Sequence, residues 1–375
     1  MTVTVKSWDR IDPLLTEWER LAVRAEASPF LWPGWIGAWW RAFGAGKLEI
    51  LTVYEDGDLT GVLPLHRIRG VLSSTNDPDT GPFGFLVANE TALQRLCEYL
   101  FSERARRFNF FLLPSSDVGV SLARTTAEAA GYRVIADSIA GSPYVLIDET
   151  SWDAYQSGLG KSMQKDIRRC RRRLEEEGRL TIDVFDGTQR LDELLEEGFR
   201  VEGSGWKEAE GTNINARPST RRFYTEVAHW AAERGWLRLA FLRLDGRTLA
   251  FDYCLEYNRV HYLIKTGYDP AHARLSPGKV LRQHMLIRAF SEGLAIYDFG
   301  GIIEPYKQKW TESYRELQSL YMFAPTPLGF VDRKAFEYRR PAVEQVKGVA
   351  RSALGKRGWH LLKRGRALAR AGLDL

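Results

Sequence analysis

The chain is poor in cysteine and has no long apolar run, and both features limit what it can be. Its three cysteines are far apart and odd in number, which excludes a disulfide framework and a CxxC-type metal site. No stretch reaches the roughly 18–20 consecutive apolar residues of a membrane-spanning helix, and no basic segment followed by an apolar one marks a secretory signal. HxxxH, HExxH, GxSxG and Walker sequences are also absent. We therefore expect a cytoplasmic protein without a metal site.

Length and charge indicate two domains and a separate basic segment. The chain has 375 residues, of which 44% are hydrophobic and 27% charged, as in ordinary globular proteins. Twelve basic and four acidic residues give residues 331–375 a net charge of +8, whereas the other 330 residues carry −3 of the overall +5. The basic character is therefore local, and it indicates an interaction of this segment rather than a nucleic-acid-binding protein as a whole.

The first 150 residues predict an α/β unit. Asp56-Gly57 joins two apolar runs, which is typical of a hairpin. Pro33 at the start and Gly44 at the end delimit an aromatic-rich helix. The predicted helices are 12–25, 33–43, 90–107 and 118–130; the predicted strands are 48–55, 59–67, 108–113 and 132–137; and 73–84 is predicted as a loop.

The following 180 residues predict helices and then an antiparallel meander. Turn residues at Asp245-Gly246 and Asn258-Arg259 separate three apolar strands. The predicted helices are 151–177 (broken near 158–160), 190–203, 219–234 and 278–292; the predicted strands are 180–185, 236–244, 248–257, 260–266 and 295–299. We therefore expect an α/β (α+β) protein with mixed sheets, divided into residues 1–150, 151–330 and a basic helical tail, 331–375.

Two segments are candidates for anion binding. Ser276-Pro277-Gly278-Lys279 opens a helix after a strand and a polar loop, where free backbone N–H groups and the helix dipole favour a phosphate. A simple Ser N-cap with Pro at the first helical position fits this segment equally well. In the helix over 161–177, Lys161, Lys165 and Arg168 have no acidic residue at i+4. These three cations are either an anion site or a solvated face.

A third segment combines close backbone approach with titratable side chains. Gly300 and Gly301 follow an apolar strand and allow a ligand to come near the backbone. Asp298, Glu304, Tyr306 and Lys307 lie around these glycines in the sequence. Asp298 within an apolar strand needs a partner, so a structural ion pair is the alternative to a catalytic role.

In their order along the chain, these motifs resemble the GNAT-fold acyltransferases. The resemblance covers about residues 5–325 and is carried by three groups of residues. These are the Trp-rich 28–40 segment, the basic helix 161–178, and the run from the 236–266 strands to Tyr297-Asp298-Phe299-Gly300-Gly301 and Trp310. The nearest group looks like the CelD-like N-acetyltransferases, which are related to the FemAB aminoacyl transferases. This implies two tandem GNAT-like acyltransferase domains, of which the second transfers the acyl group.

The resemblance also assigns roles to residues. Arg274-Leu275-Ser276-Pro277-Gly278-Lys279 takes the pyrophosphate-loop position, although it matches the usual (Arg/Gln)-x-x-Gly-x-(Gly/Ala) pattern only in part. Cofactor-binding residues are then Arg274, Ser276, Pro277, Gly278 and Lys279, and substrate-binding residues are Lys161, Lys165, Arg168 and Trp206. A lysine resembling Lys307 lies near the acyl-transfer centre in FemAB-like enzymes. The chemistry of acyl transfer itself predicts Asp298 or Glu304 as the base, Tyr306 as the acid for the leaving thiolate, and Lys307 beside the developing negative charge.

We expect a bacterial N-acyltransferase that moves an acyl group from acyl-CoA to an amine of a small molecule, an amino sugar or a cell-envelope precursor. Two alternatives remain: a FemAB-like transferase that uses aminoacyl-tRNA, and a catalytically inactive GNAT-fold binding protein.

The basic tail has its own alternatives. Residues 345–371 place apolar residues and Trp359 among lysines and arginines, which suits peripheral contact with an anionic membrane surface at the inner face of the membrane. Packing on the body of the protein and tRNA binding are the other interpretations.

Overall fold

A computed structural model describes residues 2–77, 80–103, 105–148, 150–204 and 213–338. The described chain divides into two units. The first contains residues 1–145 together with 298–334, and the second contains residues 146–297. Residues 298–334 thus pack with the first unit, whereas the sequence division places 298–330 in the second domain. Below, each unit is described by itself.

The first unit is a mixed sheet with helices. Its strands are β1 (Val3–Trp8), β2 (Lys47–Glu55), β3 (Asp58–Ile68), β4 (Val71–Ser74), β5 (Leu86–Val87), β6 (Arg107–Pro114), β7 (Arg133–Leu146) and, much later in the chain, β13 (Tyr314–Phe323). Its helices are α1 (Leu15–Arg24), α2 (Pro33–Phe43), α3 (Glu90–Ser102) and α4 (Val118–Ala129), with 3-10 turns at Asp12–Leu14 and Pro29–Leu31. The strand order is β1-β2-β3-β4-β6-β13-β7, and only β4 and β6 run parallel among the pairs defined here.

The second unit contains the predicted meander. Its strands are β8 (Leu180–Phe185), β9 (Leu237–Leu244), β10 (Arg247–Tyr257), β11 (Val260–Tyr268) and β12 (Ile296–Asp298), in the order β12-β11-β10-β9-β8. Its helices are α5 (Trp152–Gly158), α6 (Lys161–Glu177), α7 (Leu191–Glu202), α8 (Pro218–Glu233) and α9 (Pro277–Ser291), with 3-10 turns at Ile214–Ala216 and Pro270–Leu275. At the end of β12 the chain returns to the first unit.

Each unit repeats one order of elements. Three antiparallel strands, a helix and a further strand occur as β2, β3, β4, α3 and β6 in the first unit, with only the short β5 inserted. They occur as β9, β10, β11, α9 and β12 in the second. The mixed α/β class predicted from the sequence is confirmed, and so is the break of the 151–177 helical region into α5 and α6.

Alternate residues of β10 face different helices. The ring of Phe251 leaves no room for a Cβ on Gly198 of α7, and the Tyr253 hydroxyl donates to the Tyr224 carbonyl of α8. Asp252 and Glu256 point the other way and pair with arginines of α9. The sheet of the second unit is therefore covered on both faces, and its α9 side carries buried charges.

The predicted start of the basic tail lies within a further helix. Residues 327–338 are helical and are named α10, so the predicted start at residue 331 falls inside a helix. Residues 339–375, on which most of the tail prediction rests, lie outside the described residues. In the described part of the chain, no helix is both long and apolar enough to span a membrane.

Candidate active site

The start of α9 is an open, sharply turned helix N-terminus. Ser276 has left-handed backbone angles (φ 52°, ψ 51°) and makes no capping hydrogen bond with its side chain, so the simple N-cap interpretation is wrong. Pro277 occupies the first helical position, and a Cβ built on Gly278 would meet only the Tyr268 ring, at 4.0 Å. The first turn is therefore approachable by a ligand, and its N–H groups and dipole favour an anion.

The basic helix α6 lies directly beside this turn. Lys279 of α9 forms an ion pair with Asp166 of α6, which also pairs with Arg169. The hydrogen bond from Lys279 is the main reason that the pKa of Asp166 is lowered, so this carboxylate stays ionised between the two helices. The structure thus joins the two segments that the sequence singles out separately as anion-binding candidates.

Three cations on α6 remain available. Lys161, Lys165 and Arg168 are exposed, and none forms an ion pair with an acidic residue in the described part of the chain. In contrast, Arg171 pairs with Glu175 and Arg172 with Glu176, as their spacing predicts. The predicted cofactor residue Arg274 is exposed and pairs with Glu177 at the far end of α6, at 2.8 Å.

Strand β11, which leads to the α9 turn, has an irregular register with β10. Its register with β10 shifts between Tyr253 and Cys254, which leaves Ile264 as an extra residue. The strand residues 264–267 are only partly buried, although the strand lies between two others. Gly267 passes so close to α7 that a Cβ would lie 2.4 Å from the Cα of Glu202. A bulge of this kind redirects backbone groups near active sites.

A buried ionic cluster, missed by the sequence reasoning, fixes β11 to α9. Arg282 of α9 is 3% exposed and donates to Asp252 at 2.9 Å and to Thr266 at 3.3 Å, and it also contacts the Tyr297 hydroxyl. Burial raises the pKa of Tyr297 well above its usual value, which keeps the hydroxyl neutral. Only the mixed polar and apolar composition of α9 hints at this cluster. Arg282 thereby holds the partly buried residues 264–267 of β11 in place.

A second buried cluster surrounds Glu256. Its carboxylate accepts from His261 at 2.8 Å, and it pairs with Arg238 and Arg288. Burial alone would raise the pKa of Glu256, but the hydrogen bonds from His261 and Arg288 outweigh burial and lower the pKa to about 2. Burial lowers the pKa of His261, which stacks on the Tyr297 ring at 4.4 Å.

The Glu256 cluster predicts an acid-sensitive fold. Because the pKa is about 2 in the folded state against an ordinary 4.5, the carboxylate stabilises the fold above about pH 4.5. That stabilisation, on the order of 3 kcal/mol, is lost as the pH falls toward 2. We expect Glu256→Gln to be less stable than wild type at pH 7, with a difference that shrinks as the pH falls, measured by urea unfolding. Glu193→Gln, at an exposed pair with Arg190, is the control. A constant difference between pH 7 and pH 3 would contradict the assignment.

The third candidate segment, residues 298–307, lies in the first unit. Its Asp298 carboxylate has three partners. The carboxylate accepts from the Ser142 hydroxyl and the Gly300 N–H, each at 2.8 Å, and pairs with Arg315. Asp298 is 7% exposed. These contacts match the structural ion pair that is the alternative to a catalytic role for Asp298.

Lys307 is similarly engaged, whereas its neighbours are reachable. The Lys307 ammonium donates to the Gly300 and Ile302 carbonyls at 2.7 and 3.0 Å and pairs with Glu304 at 3.0 Å. It is 4% exposed, while the Glu304 side chain is about one-third exposed and Tyr306 lies over the ammonium with 37% of its surface exposed. Lys307 thus secures the 300–304 loop, and Glu304 and Tyr306 can meet a substrate.

Two further predictions concern substrate binding by Trp206 and the absence of a metal site. Trp206, predicted to bind substrate, lies outside the described residues. Within the described ranges, no group of three or more His, Cys, Asp or Glu side chains could hold a metal ion.

Part of the chain matches a known domain family. Residues 161–308 match the family model described as an acetyltransferase (GNAT) domain. This range contains α6, the bulged strand β11, the α9 turn and the 298–307 segment. No curated protein sequence matches the chain.

Solved structures show the same fold at low sequence identity. The DUF2156 domain of an Agrobacterium fabrum protein named a lysylphosphatidylglycerol synthetase is 12% identical (TM-score 0.56), with 87% of this chain and 96% of that chain covered. FemX is 14% identical (TM-score 0.56), with 84% and 96% covered. A Bacteroides thetaiotaomicron protein of unknown function is 10% identical (TM-score 0.55), with 85% and 100% covered. Residues 161–308 therefore match an acetyltransferase (GNAT) domain, and the protein is an acyltransferase.

Proposed function

We propose that this acyltransferase takes its acyl group from acyl-CoA and delivers it to an amine of a small molecule, an amino sugar or a cell-envelope precursor. The observation that supports the proposal most is the junction of α6 and α9. Three cations without acidic partners in the described chain stand on the helix that is tied, through Asp166 and Lys279, to an open helix N-terminus. Phosphates are the anions that such an arrangement favours.

The acyl carbonyl then lies along the bulged part of β11 in this proposal. Direct attack by the amine forms a C–N bond, and the C–S bond breaks with release of the CoA thiolate. Backbone N–H groups near Ile264 would stabilise the oxyanion. We also propose that residues 1–150 and 151–330 are two tandem GNAT-like domains of the CelD-like group, a view that the repeated order of elements supports.

Proton transfer is proposed for the exposed members of the 298–307 segment. Glu304 is the proposed base and Tyr306 the proposed acid, while Asp298 and Lys307 hold the loop on which both stand. We expect Tyr306→Phe to lower kcat by about 100-fold, the lower range for loss of a general acid, with the Kd for acyl-CoA unchanged. Tyr314→Phe, at another exposed tyrosine, is the control. Full kcat in Tyr306→Phe would remove Tyr306 from the mechanism.

Aminoacyl-tRNA is the second candidate donor, because the same exposed cations on α6 would bind RNA phosphates. The two donors are separated by following transfer to a mixture of bacterial amine metabolites and envelope precursors. Activity with purified acyl-CoA that survives RNase supports the first donor. Activity that requires an extract and disappears with RNase supports the second. Failure with both donors would contradict both proposed donors.

For the tail, we propose peripheral contact of residues 331–375 with the inner face of the membrane, in a cytoplasmic protein. Its net charge of +8 supports this proposal, and tRNA is the alternative polyanion.

A further inference from the structure

A cavity with a basic lining lies in the first unit, apart from the residues discussed so far. It has a volume of about 630 Å³ and is formed where β13 ends and α10 begins. Arg133 and Arg333 line it together with Phe323, Pro325 and Phe330. None of its lining residues within the described chain is acidic. The cavity therefore offers an anion two guanidinium groups over an apolar floor.

The register of three neighbouring strands places two arginines beside Phe323. Phe323 of β13 faces Arg107 of β6 on one side and Arg133 of β7 on the other. The Arg107 guanidinium lies over the Phe323 ring at 5.8 Å, and its Nε is buried without a hydrogen-bond partner among the described residues. Of the two acidic residues of α10, Asp332 pairs with Arg106 at 2.8 Å, and Glu337 lies one turn beyond Arg333. Positive charge is thus concentrated at this end of the sheet.

The first turns of α10, next to the cavity, expose large apolar side chains. Leu328, Phe330 and Val331, within one turn of α10, expose 65%, 55% and 60% of their surfaces. Arg333 and Lys334 lie over the Phe330 ring at 5.2 and 5.9 Å. Large apolar side chains that protrude beside cations suit neither a nucleic-acid backbone nor bulk water. They suit the boundary between lipid headgroups and acyl chains.

We propose that this face docks on an anionic membrane, with a lipid phosphate between Arg133 and Arg333 and with Leu328, Phe330 and Val331 inserted among the acyl chains. Each basic residue near such a surface contributes about 1 kcal/mol, and the apolar side chains add the burial of their surface. The proposal concerns a surface of the described first unit and is independent of the acyl donor. It adds to the sequence-based proposal for the tail a defined site with named residues.

The test uses the full-length protein and co-sedimentation with vesicles of phosphatidylcholine alone or mixed with phosphatidylglycerol. We expect wild type to pellet with the mixed vesicles only. Leu328→Asp/Val331→Asp and Arg133→Gln/Arg333→Gln are each expected to weaken the partition by about tenfold or more. Val118→Asp, at a valine of the same unit that is 69% exposed, is the control for an added charge and is expected to bind as wild type. Thermal unfolding by circular dichroism confirms that each variant is folded.

Four results would overturn the proposal. Both double variants could pellet as wild type does, or wild type could bind neutral vesicles equally well. Soluble glycerol phosphate could bind wild type while vesicles do not, which would make the cavity a site for a free anion. Loss of a dimer in Leu328→Asp/Val331→Asp, without any vesicle binding by wild type, would assign the face to a protein partner.

Discussion

Arg282→Met is expected to lower the free energy of unfolding by about 3–5 kcal/mol, because it leaves the buried Asp252 carboxylate without its cation. For a chain of this size the midpoint of thermal unfolding then falls by on the order of 10 °C. The same change releases Thr266 on β11, so we also expect weaker donor binding in the variant that remains folded at low temperature. Circular dichroism melts and titration with acyl-CoA measure the two effects.

Two further variants make this prediction specific. Asp252→Asn combined with Arg282→Met removes the uncompensated charge and is expected to regain part of the lost stability. Arg222→Met removes an exposed arginine of α8, paired with Glu226, and is expected to change stability by less than about 1 kcal/mol. If Arg282→Met were as stable as Arg222→Met, the buried cluster would not hold β11 to α9.

Neutralising the three available cations of α6 is expected to weaken acyl-CoA binding strongly. Lys161→Gln/Lys165→Gln/Arg168→Gln removes positive charge beside the α9 turn without touching the core, since all three side chains are exposed. A hydrogen bond to a charged group contributes about 1.5–3 kcal/mol, so loss of one or two raises the Kd by at least about tenfold. The stability of the variant is expected to stay near that of wild type.

The same helix supplies a matched control. Arg171→Gln/Arg172→Gln/Arg173→Gln makes an equal change of net charge farther along α6, where Arg171 and Arg172 already pair with glutamates. We expect this variant to bind acyl-CoA nearly as wild type does, with the same dependence on salt. An equal loss of affinity in both triple variants would indicate a general charge effect instead of a site.

Local signals in the sequence account for what could be predicted. All four residues of the Asp245-Gly246 and Asn258-Arg259 turns adopt the left-handed angles that tight hairpins need, and Gly246 does so without strain. These two turns connect the three strands of the meander. Ile167, Cys170 and Leu174 recur at helical spacing, and they are the buried residues of α6. Pro277 marked the start of α9.

Long-range pairing accounts for what was missed. β13 lies between β6 and β7, roughly two hundred residues away in the sequence from its β6 partner, and only tertiary context fixes such a strand. Its mixed run of polar and apolar residues resembles neither a clean strand nor a helix. For the same reason the sequence does not reveal that residues 298–334 pack with the first unit.

In the candidate site, too, local sequence signals identify segments, whereas long-range contacts are visible only in the folded chain. Residue type and order brought out α6, the α9 turn and the 298–307 segment, but not the partners of each side chain. Asp298 and Lys307 turned out to be buried and fully engaged, whereas Glu304 and Tyr306 are reachable. The Arg282 and Glu256 clusters arise from strands and a helix that meet only in the folded chain.

Isothermal titration of the full-length protein with acetyl-CoA and longer acyl-CoAs tests the proposed donor most directly. We expect saturable binding of at least one acyl-CoA at a single site, an affinity that falls as salt is raised, and a loss of affinity in Lys161→Gln/Lys165→Gln/Arg168→Gln but not in the matched control. Absence of binding by every acyl-CoA to the folded wild-type protein would contradict the proposal.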